Sequence, residues 1–283
     1  MIPAAFDYVR ATTALDAIRL LAENPDDSKL LAGGHSLIPA LKLRLASPSR
    51  LIDIGGIDEL KGIEIADGVR IGALSTHAHI LASPQLHRMF PIFREAADLI
   101  ADPLVRNRGT IGGSLANADP AADWPAVVIA MNAEIEVLGA RERRRVPARE
   151  FFVDIMTTAL GPDEILTAVH IPPPDSEVRA AYRKIPHPAS GYAVVGVAAR
   201  IGLHDGRITS ATIGITGATG RAFEAAEAGS YLVGKTPTPQ IIEEVASIAS
   251  DRSDYLVDAY ASGAYRKQLV EVQTRRLLRE LLL

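Results

Sequence analysis

The stretch that most restricts this chain is Lys29-Leu30-Leu31-Ala32-Gly33-Gly34-His35-Ser36, an apolar run that stops on two glycines and a hydroxyl. Lys29–Ala32 reads as a buried strand, and Ser36 is placed to N-cap a helix over Leu37–Leu45. Arg50–Ile54 returns as a second strand, and strand–helix–strand order implies a parallel pair. Ahead of them, Thr13 with Asp16 forms a capping-box pattern, opening a helix with Leu15, Ile18 and Leu21 on one face. The glycine pattern recurs at Thr110-Ile111-Gly112-Gly113-Ser114. Glycine permits positive φ and brings backbone N–H groups close to a ligand with no Cβ in the way. Successive N–H groups in such a turn form an anion-binding concavity, reinforced by a following helix. Two such loops suit a diphosphate with a nucleotide on each side, whereas either alone reads as a tight turn. Neither has G-x-G-x-x-G or G-K-[ST] spacing, so a Rossmann dinucleotide site and a P-loop are both disfavoured.

The rest of the chain supplies an α+β frame. Ile63–Ile65 and Val69–Ile71 alternate around Ala66-Asp67-Gly68, a hairpin signal. Helices are expected near Thr76–Leu81 and Phe93–Ile100. Residues 106–123 are Gly- and Ala-rich with weak periodicity and read as a long functional loop. Strands follow at Glu134–Leu138 and Glu164–Ile171, with a basic, solvated turn over Arg141–Arg145 between them. Pro172-Pro173-Pro174 reads as a linker. Beyond it come strands Ala180–Ile185, Tyr192–Ile201 and Arg207–Ile215, the last two joined through His204-Asp205-Gly206. Helices are expected at Ala222–Ala228, Thr238–Ala249 and Ala264–Leu282. The expectation is a two-part first domain, residues 1–174, and a C-terminal domain, 175–283. The first combines a small parallel β unit (about 1–56) with a larger mixed-sheet unit (57–174); the second is an antiparallel sheet with a helix bundle.

Composition removes several functions. Lys+Arg number 30 against 34 Asp+Glu, so there is no basic footprint for nucleic acid. With no cysteine, the chain has no disulfide, no thiolate for an iron–sulfur cluster and no thiol nucleophile. Its apolar stretches fall short of the ~20 residues of a membrane span. The N-terminus lacks a secretory n-region, which makes the cytoplasm the expected compartment. His77-x-His79 lacks further ligands and reads as polar decoration at a helix start, not a metal site. By themselves, Asp123 reads as the N-cap of a helix beginning at Trp124-Pro125, Lys184 as a solvated strand side chain, and Ile100 and Leu166 as core.

The strings Leu30–Pro39 and Thr110–Asp123 together resemble the FAD-binding medium subunits of the xanthine dehydrogenase/carbon monoxide dehydrogenase family of molybdenum hydroxylases. The resemblance continues through Gly161–Leu166, Tyr182-Arg183-Lys184, Val194–Ala198 and the tail Ser262–Leu278, in order along the chain. It implies that residues 1–174 are an FAD-binding domain and 175–283 a flavoprotein C-terminal domain, holding FAD non-covalently. Leu30, Leu31, Ala32, Gly33, Gly34, His35, Ser36 and Leu37 would grip the pyrophosphate together with Thr110, Ile111, Gly112, Gly113 and Ser114, and Asn117 joins the binding set. Asp123 would accept a hydrogen bond from a flavin or ribose hydroxyl. The backbone of Leu166 would meet the isoalloxazine edge, Lys184 would lie near its pyrimidine end, Ile100 against the ring and Tyr192 over its face. No residue takes a catalytic or metal-ligating role. The resemblance further implies a large molybdenum-binding partner with molybdopterin and a small partner with 2Fe-2S clusters, in a dimer of heterotrimers. Electrons from the clusters would then leave through the flavin to an external acceptor. A stand-alone FAD-dependent oxidase or dehydrogenase, and a nucleotide-binding scaffold module, are the alternative readings.

Overall fold

A computed structural model describes residues 2–174 and 177–283. The expected domain boundary after residue 174 therefore adjoins residues 175 and 176, which lie outside the described residues. The first unit runs β1 (Asp7–Arg10), α1 (Ala14–Glu23), β2 (Ser28–Leu31), α2 (Leu37–Leu43) and β3 (Arg50–Asp53). Its sheet has the order β1-β3-β2, and both pairings are parallel. Strand β1 lies in a segment that carries no strand signal of its own; pairing with β3 creates it. Thr13 caps α1 by accepting from the Asp16 N–H at 3.0 Å. Leu15, expected on the packed face, is 63% exposed; Ala14, Ala17, Ile18, Leu20 and Leu21 form that face instead. Ser36 precedes α2 without capping it, because its own backbone is already helical at φ −100°, ψ −48°.

The second unit contains β4 (Ile63–Ala66), β5 (Gly68–Gly72), α3 (His77–Leu81), α4 (Pro84–Met89), α5 (Ile92–Leu99), α6 (Pro103–Arg106), α7 (Ile111–Asn117) and α8 (Asp123–Ala130). It continues with β6 (Glu134–Leu138), β7 (Arg143–Pro147), α9 (Ala148–Phe151), the short pair β8 (Phe152–Asp154) and β9 (Thr157–Thr158), and β10 (Ile165–Ile171). The sheet order is β4-β5-β10-β6-β7. Its pairings are all antiparallel, not mixed, because β10 inserts between β5 and β6, which run in the same direction. The long loop expected over 106–123 is half helix, chiefly α7, with turns on either side. The basic stretch is mostly strand β7, where Arg143, Arg144 and Arg145 pair with Glu136, Glu164 and Glu134 at 2.6, 2.6 and 3.2 Å.

The last unit is the meander β11 (Glu177–Pro186), β12 (Ala193–His204), β13 (Arg207–Thr216) and β14 (Phe223–Glu224), followed by α10 (Ala226–Leu232), α11 (Pro239–Ala249) and α12 (Gly263–Leu282). Asp205 and Gly206 both take positive φ, 48° and 73°, as a tight hairpin turn requires. The helix expected at Ala222 begins only at Ala226, since Phe223 and Glu224 pair with β13 as an edge strand. Helices α10 and α12 cover one face of this sheet with α11 packed against both, and α8 of the second unit packs against β12 and β13 on the other. Every residue of β12 but the last is accordingly buried. Helix α8 is buried along its whole length and hydrophobic all round, as a helix packed on several sides must be. It lies so close to β13 that a Cβ on Gly214 would overlap the Ala126 carbonyl. That contact carries the start of α8 up against β11 and builds the site. Among the described residues, no helix is long and apolar enough to cross a membrane.

Candidate flavin site

The first glycine segment leaves β2 at Leu31 and enters α2 at Leu37. Gly34 takes φ 77°, which L side chains rarely adopt. Gly33 is needed for a different reason: a Cβ there would overlap the Arg108 carbonyl oxygen and lie 3.0 Å from Gly109 Cα. The two glycine segments therefore meet backbone to backbone. Among the described residues, nothing accepts from the N–H groups of Gly33, Gly34, His35, Ser36 and Leu37; the next turn closes with Ile38 N–H donating to Gly34 O at 2.9 Å. Leu30 and Leu31, at the strand end, are half-buried, while His35 and Ser36 are exposed.

The second segment differs. Thr110 caps α7, its Oγ1 accepting from Gly113 N–H at 3.1 Å. Ile111 N–H donates to Ser75 O at 3.0 Å, Gly112 N–H to Ala73 O at 2.8 Å and Ser114 N–H to Thr110 O at 3.0 Å. Gly112 and Gly113 are thus helical, with their N–H groups already paired, which corrects the expectation of a second N–H cradle. Gly112 serves close packing, since a Cβ would meet Ala73 O at 2.7 Å, while a Cβ on Gly113 would lie 3.8 Å from Ala32 Cβ. Asn117 ends α7, with no side-chain hydrogen bond among the described residues, before Ala118 turns the chain at φ 49°. A cleft of about 220 Å³ opens between the segments, bordered by Ala32, Gly33 and Thr110 and by the basic side chains Lys61, His79 and Arg108. The N–H donors without acceptors, the Cβ-free backbone and the Arg108 guanidinium fit a diphosphate, with Lys61 alongside on Asp58.

His77 is buried rather than decorating a helix start. Its Nδ1 accepts from Trp124 Nε1–H at 3.0 Å, which assigns the ring proton to Nε2. Burial, aided by the nearby positive charges of His35 and Arg106, pushes its pKa down to about 4, so it stays neutral. Among the described residues, no group of His, Asp and Glu side chains could hold a metal ion.

A second cluster forms where α8 begins. Asp123 does not cap the helix; the N-cap is Ala122. Its carboxylate turns to β11, accepting from Tyr182 Oη–H at 2.6 Å and from Lys184 Nζ at 2.9 and 3.0 Å. Lys184 also donates to Gly191 O at 2.9 Å. Its side chain is only 2% exposed and that of Asp123 6%, so Lys184 is a buried partner, not a solvated one. Burial pushes the Asp123 carboxyl up from its ordinary value, while the Lys184 ammonium and the Tyr182 hydroxyl oppose the rise. Burial and the Asp123 charge lift the Tyr182 phenol well above 10. Residues 182 and 184 share a face because strand side chains alternate. The sequence-derived site residues omit Tyr182, although its i, i+2 spacing to Lys184 carries the signal.

Tyr192 ends the turn that holds Gly191 (φ 73°) and is 42% exposed. Partial burial raises its phenol, as do the charges of Asp119 and Asp123. Lys184 and Gly191 border a wider cleft of about 500 Å³ with Leu99, Ala101 and Asp102. Ile100 sits in that bend: its carbonyl accepts from Arg106 Nη1 at 3.0 Å and its side chain packs on the core. Leu166 is buried beside Val137 of β6, and the ladder to β5 begins only at Ala168, so Leu166 has a strand partner on one side.

Comparison with known proteins identifies the family. A family model described as "FAD binding domain in molybdopterin dehydrogenase" matches residues 4–174, and one described as "CO dehydrogenase flavoprotein C-terminal domain" matches 180–281. The carbon monoxide dehydrogenase medium chain of Afipia carboxidovorans is 38% identical over 277 residues, 98% of this chain and 96% of that one. The nicotine 6-hydroxylase medium subunit of Paenarthrobacter nicotinovorans is 36% identical, covering 98% and 97%. The solved structure of reconstituted CO dehydrogenase from Oligotropha carboxidovorans superposes with a TM-score of 0.96 at 37% identity over 99% of both chains. Two family models across nearly the whole length, over a fold that brings the two glycine segments together, place this chain among the FAD-binding medium subunits of the molybdenum hydroxylases.

Proposed function

We propose that this chain holds FAD with its pyrophosphate in the cleft between the two glycine segments and relays electrons from a small iron–sulfur subunit to an external acceptor. The complex would be a cytoplasmic dimer of heterotrimers, with molybdopterin on the large subunit and 2Fe-2S clusters on the small one. The observation that carries the reading is the run of N–H groups from Gly33 to Leu37 that meet no acceptor among the described residues. In this reading Leu30–Leu37 receive the pyrophosphate. Thr110–Ser114 and Asn117 close the other side through glycine surfaces and side chains, without an N–H cradle of their own. Asp123 and Lys184 face the flavin end, which Ile100, Leu166 and Tyr192 border. When bound, FAD supplies the capacity to accept and release electrons, and the protein supplies placement and electrostatics. A division into 1–174 and 175–283 belongs to the same reading, supported by where the two family models stop and start. Medium chains named for CO and for nicotine are similarly close to this one, so substrate choice is assigned to the large subunit.

The test is to purify the full chain alone and with its partner subunits. Alone, it should carry FAD and be reduced by dithionite but by no CO, aldehyde, purine or N-heterocycle; the partners should restore reduction by the physiological substrate. Rapid flavin reduction by such a substrate in the isolated chain would establish a stand-alone oxidase instead.

A further inference from the structure

We propose that Tyr182 is a positioning residue of the flavin site, its hydroxyl holding the Asp123 carboxylate in place and, through it, the Lys184 ammonium. The inference rests on the reading of Asp123 and Lys184 as flavin-facing groups. The hydroxyl donates to Asp123 Oδ1 at 2.6 Å from a side chain that is buried with the second unit's core, although Tyr182 belongs to the last unit's sheet. It occupies a notch in the neighbouring strand that only glycine leaves open. A Cβ on Gly196, the residue paired with Lys184 across the ladder, would overlap Tyr182 Oη and lie 2.8 Å from Thr216 Cγ2. From the opposite side, Glu95 on α5 accepts the Tyr182 backbone N–H at 2.9 Å. The residue is thus anchored at its backbone by Glu95 and at its hydroxyl by Asp123, and burial keeps the phenol protonated, so it is a permanent donor.

Lys184 directs its ammonium to both Asp123 oxygens and to Gly191 O, so these partners set where its charge sits. Asp123 Oδ1 is shared by Tyr182 and Lys184. Without the hydroxyl, the carboxylate keeps only the Lys184 contacts and loses its fixed neutral donor, so it shifts toward the ammonium and the ammonium shifts with it. Simple core packing would need the Tyr182 ring, whose Cζ would also lie 3.0 Å from a Cβ on Gly196, but not the hydroxyl.

The test is a double-mutant cycle on the full chain, with Tyr182→Phe, Asp123→Asn and the double variant each reconstituted with FAD. FAD affinity is read by flavin fluorescence and midpoint potential by spectroelectrochemistry. Tyr182→Phe should weaken FAD binding roughly tenfold and shift the potential. In the Asp123→Asn background the same change should add less than about twofold and leave the potential where it is. An unchanged potential in Tyr182→Phe, or effects that simply add, would overturn the proposal and leave Tyr182 as core packing. Should Tyr182→Phe not fold, Gly196→Ala closes the notch while keeping both side chains; it should shift the potential too, and an unmoved potential overturns the proposal. If Asp123→Asn itself changes neither affinity nor potential, the flavin-facing reading falls and the proposal with it.

Discussion

In the first glycine segment the N–H groups from Gly33 to Leu37 meet no acceptor among the described residues, whereas in the second those of Ile111 to Ser114 are taken by Ser75, Ala73 and Thr110. Both segments read as two glycines followed by a hydroxyl, directly or one residue on, yet one leaves its donors open and the other buries them. The difference follows from where each chain goes next. Helix α2 starts after an exposed turn, while α7 starts against the end of β5 and inherits the carbonyls of Ala73 and Ser75 as partners. A glycine pair thus marks close backbone approach; whether its N–H groups face a ligand depends on what lies beside it.

The contrast can be broken most strongly at Gly33. In Gly33→Val the side chain collides with the Arg108 carbonyl and drives the segments apart. Losing two N–H contacts to a charged phosphate at roughly 1.5–3 kcal/mol each weakens FAD binding by more than about a hundredfold. Full FAD occupancy of this variant after gel filtration would show that the first segment is only a turn.

Gly112→Ala probes the other side. Its Cβ meets the Ala73 carbonyl and side chain in a tightly packed place, and overpacking of this kind costs about 2–3 kcal/mol. The loss should appear in urea unfolding, with FAD affinity of the folded fraction changed less than in Gly33→Val. Equal losses of affinity in the two variants would erase the distinction between the segments.

The smallest effect concerns His77, buried beside the second segment with a Cβ on Gly109 predicted to lie 2.7 Å from its Nε2. Its folded pKa of about 4 lies below the ordinary 6.5, so the unfolded chain binds the extra proton first. Stability is therefore fully present above pH 6.5 and is lost as pH falls towards 4. The loss between pH 7.5 and 5 is roughly 2 kcal/mol from this group. Urea unfolding at the two pH values should show that difference shrinking in His77→Gln; an identical difference in both proteins would remove His77 as its source.

Local signals identified elements wherever neighbours in sequence supply the physics. The Thr13, Thr76, Thr238 and Ser262 caps each accept from an N–H three residues on, and the hairpins over 63–72 and 193–216 form where alternation and turn residues coincide. Ser36 and Asp123 have the same capping chemistry but serve otherwise, because a cap depends on backbone angles and on which partners compete. Helix α7 was hidden behind its glycines, whose low helix propensity is outweighed by packing on Ala73.

The chain's own residues determined an α+β frame without thiolates and two glycine segments, and their motifs carried the resemblance to a flavoprotein family. Those properties depend on residue type and short-range order, which a linear pattern records. Tertiary structure alone decided that β1 is a strand, that β10 separates β5 from β6, that Lys184 is buried against Asp123, and that Tyr182 reaches across two units. Each of these is a contact between segments far apart in sequence. Its strength comes from desolvation and from partners that no local window contains.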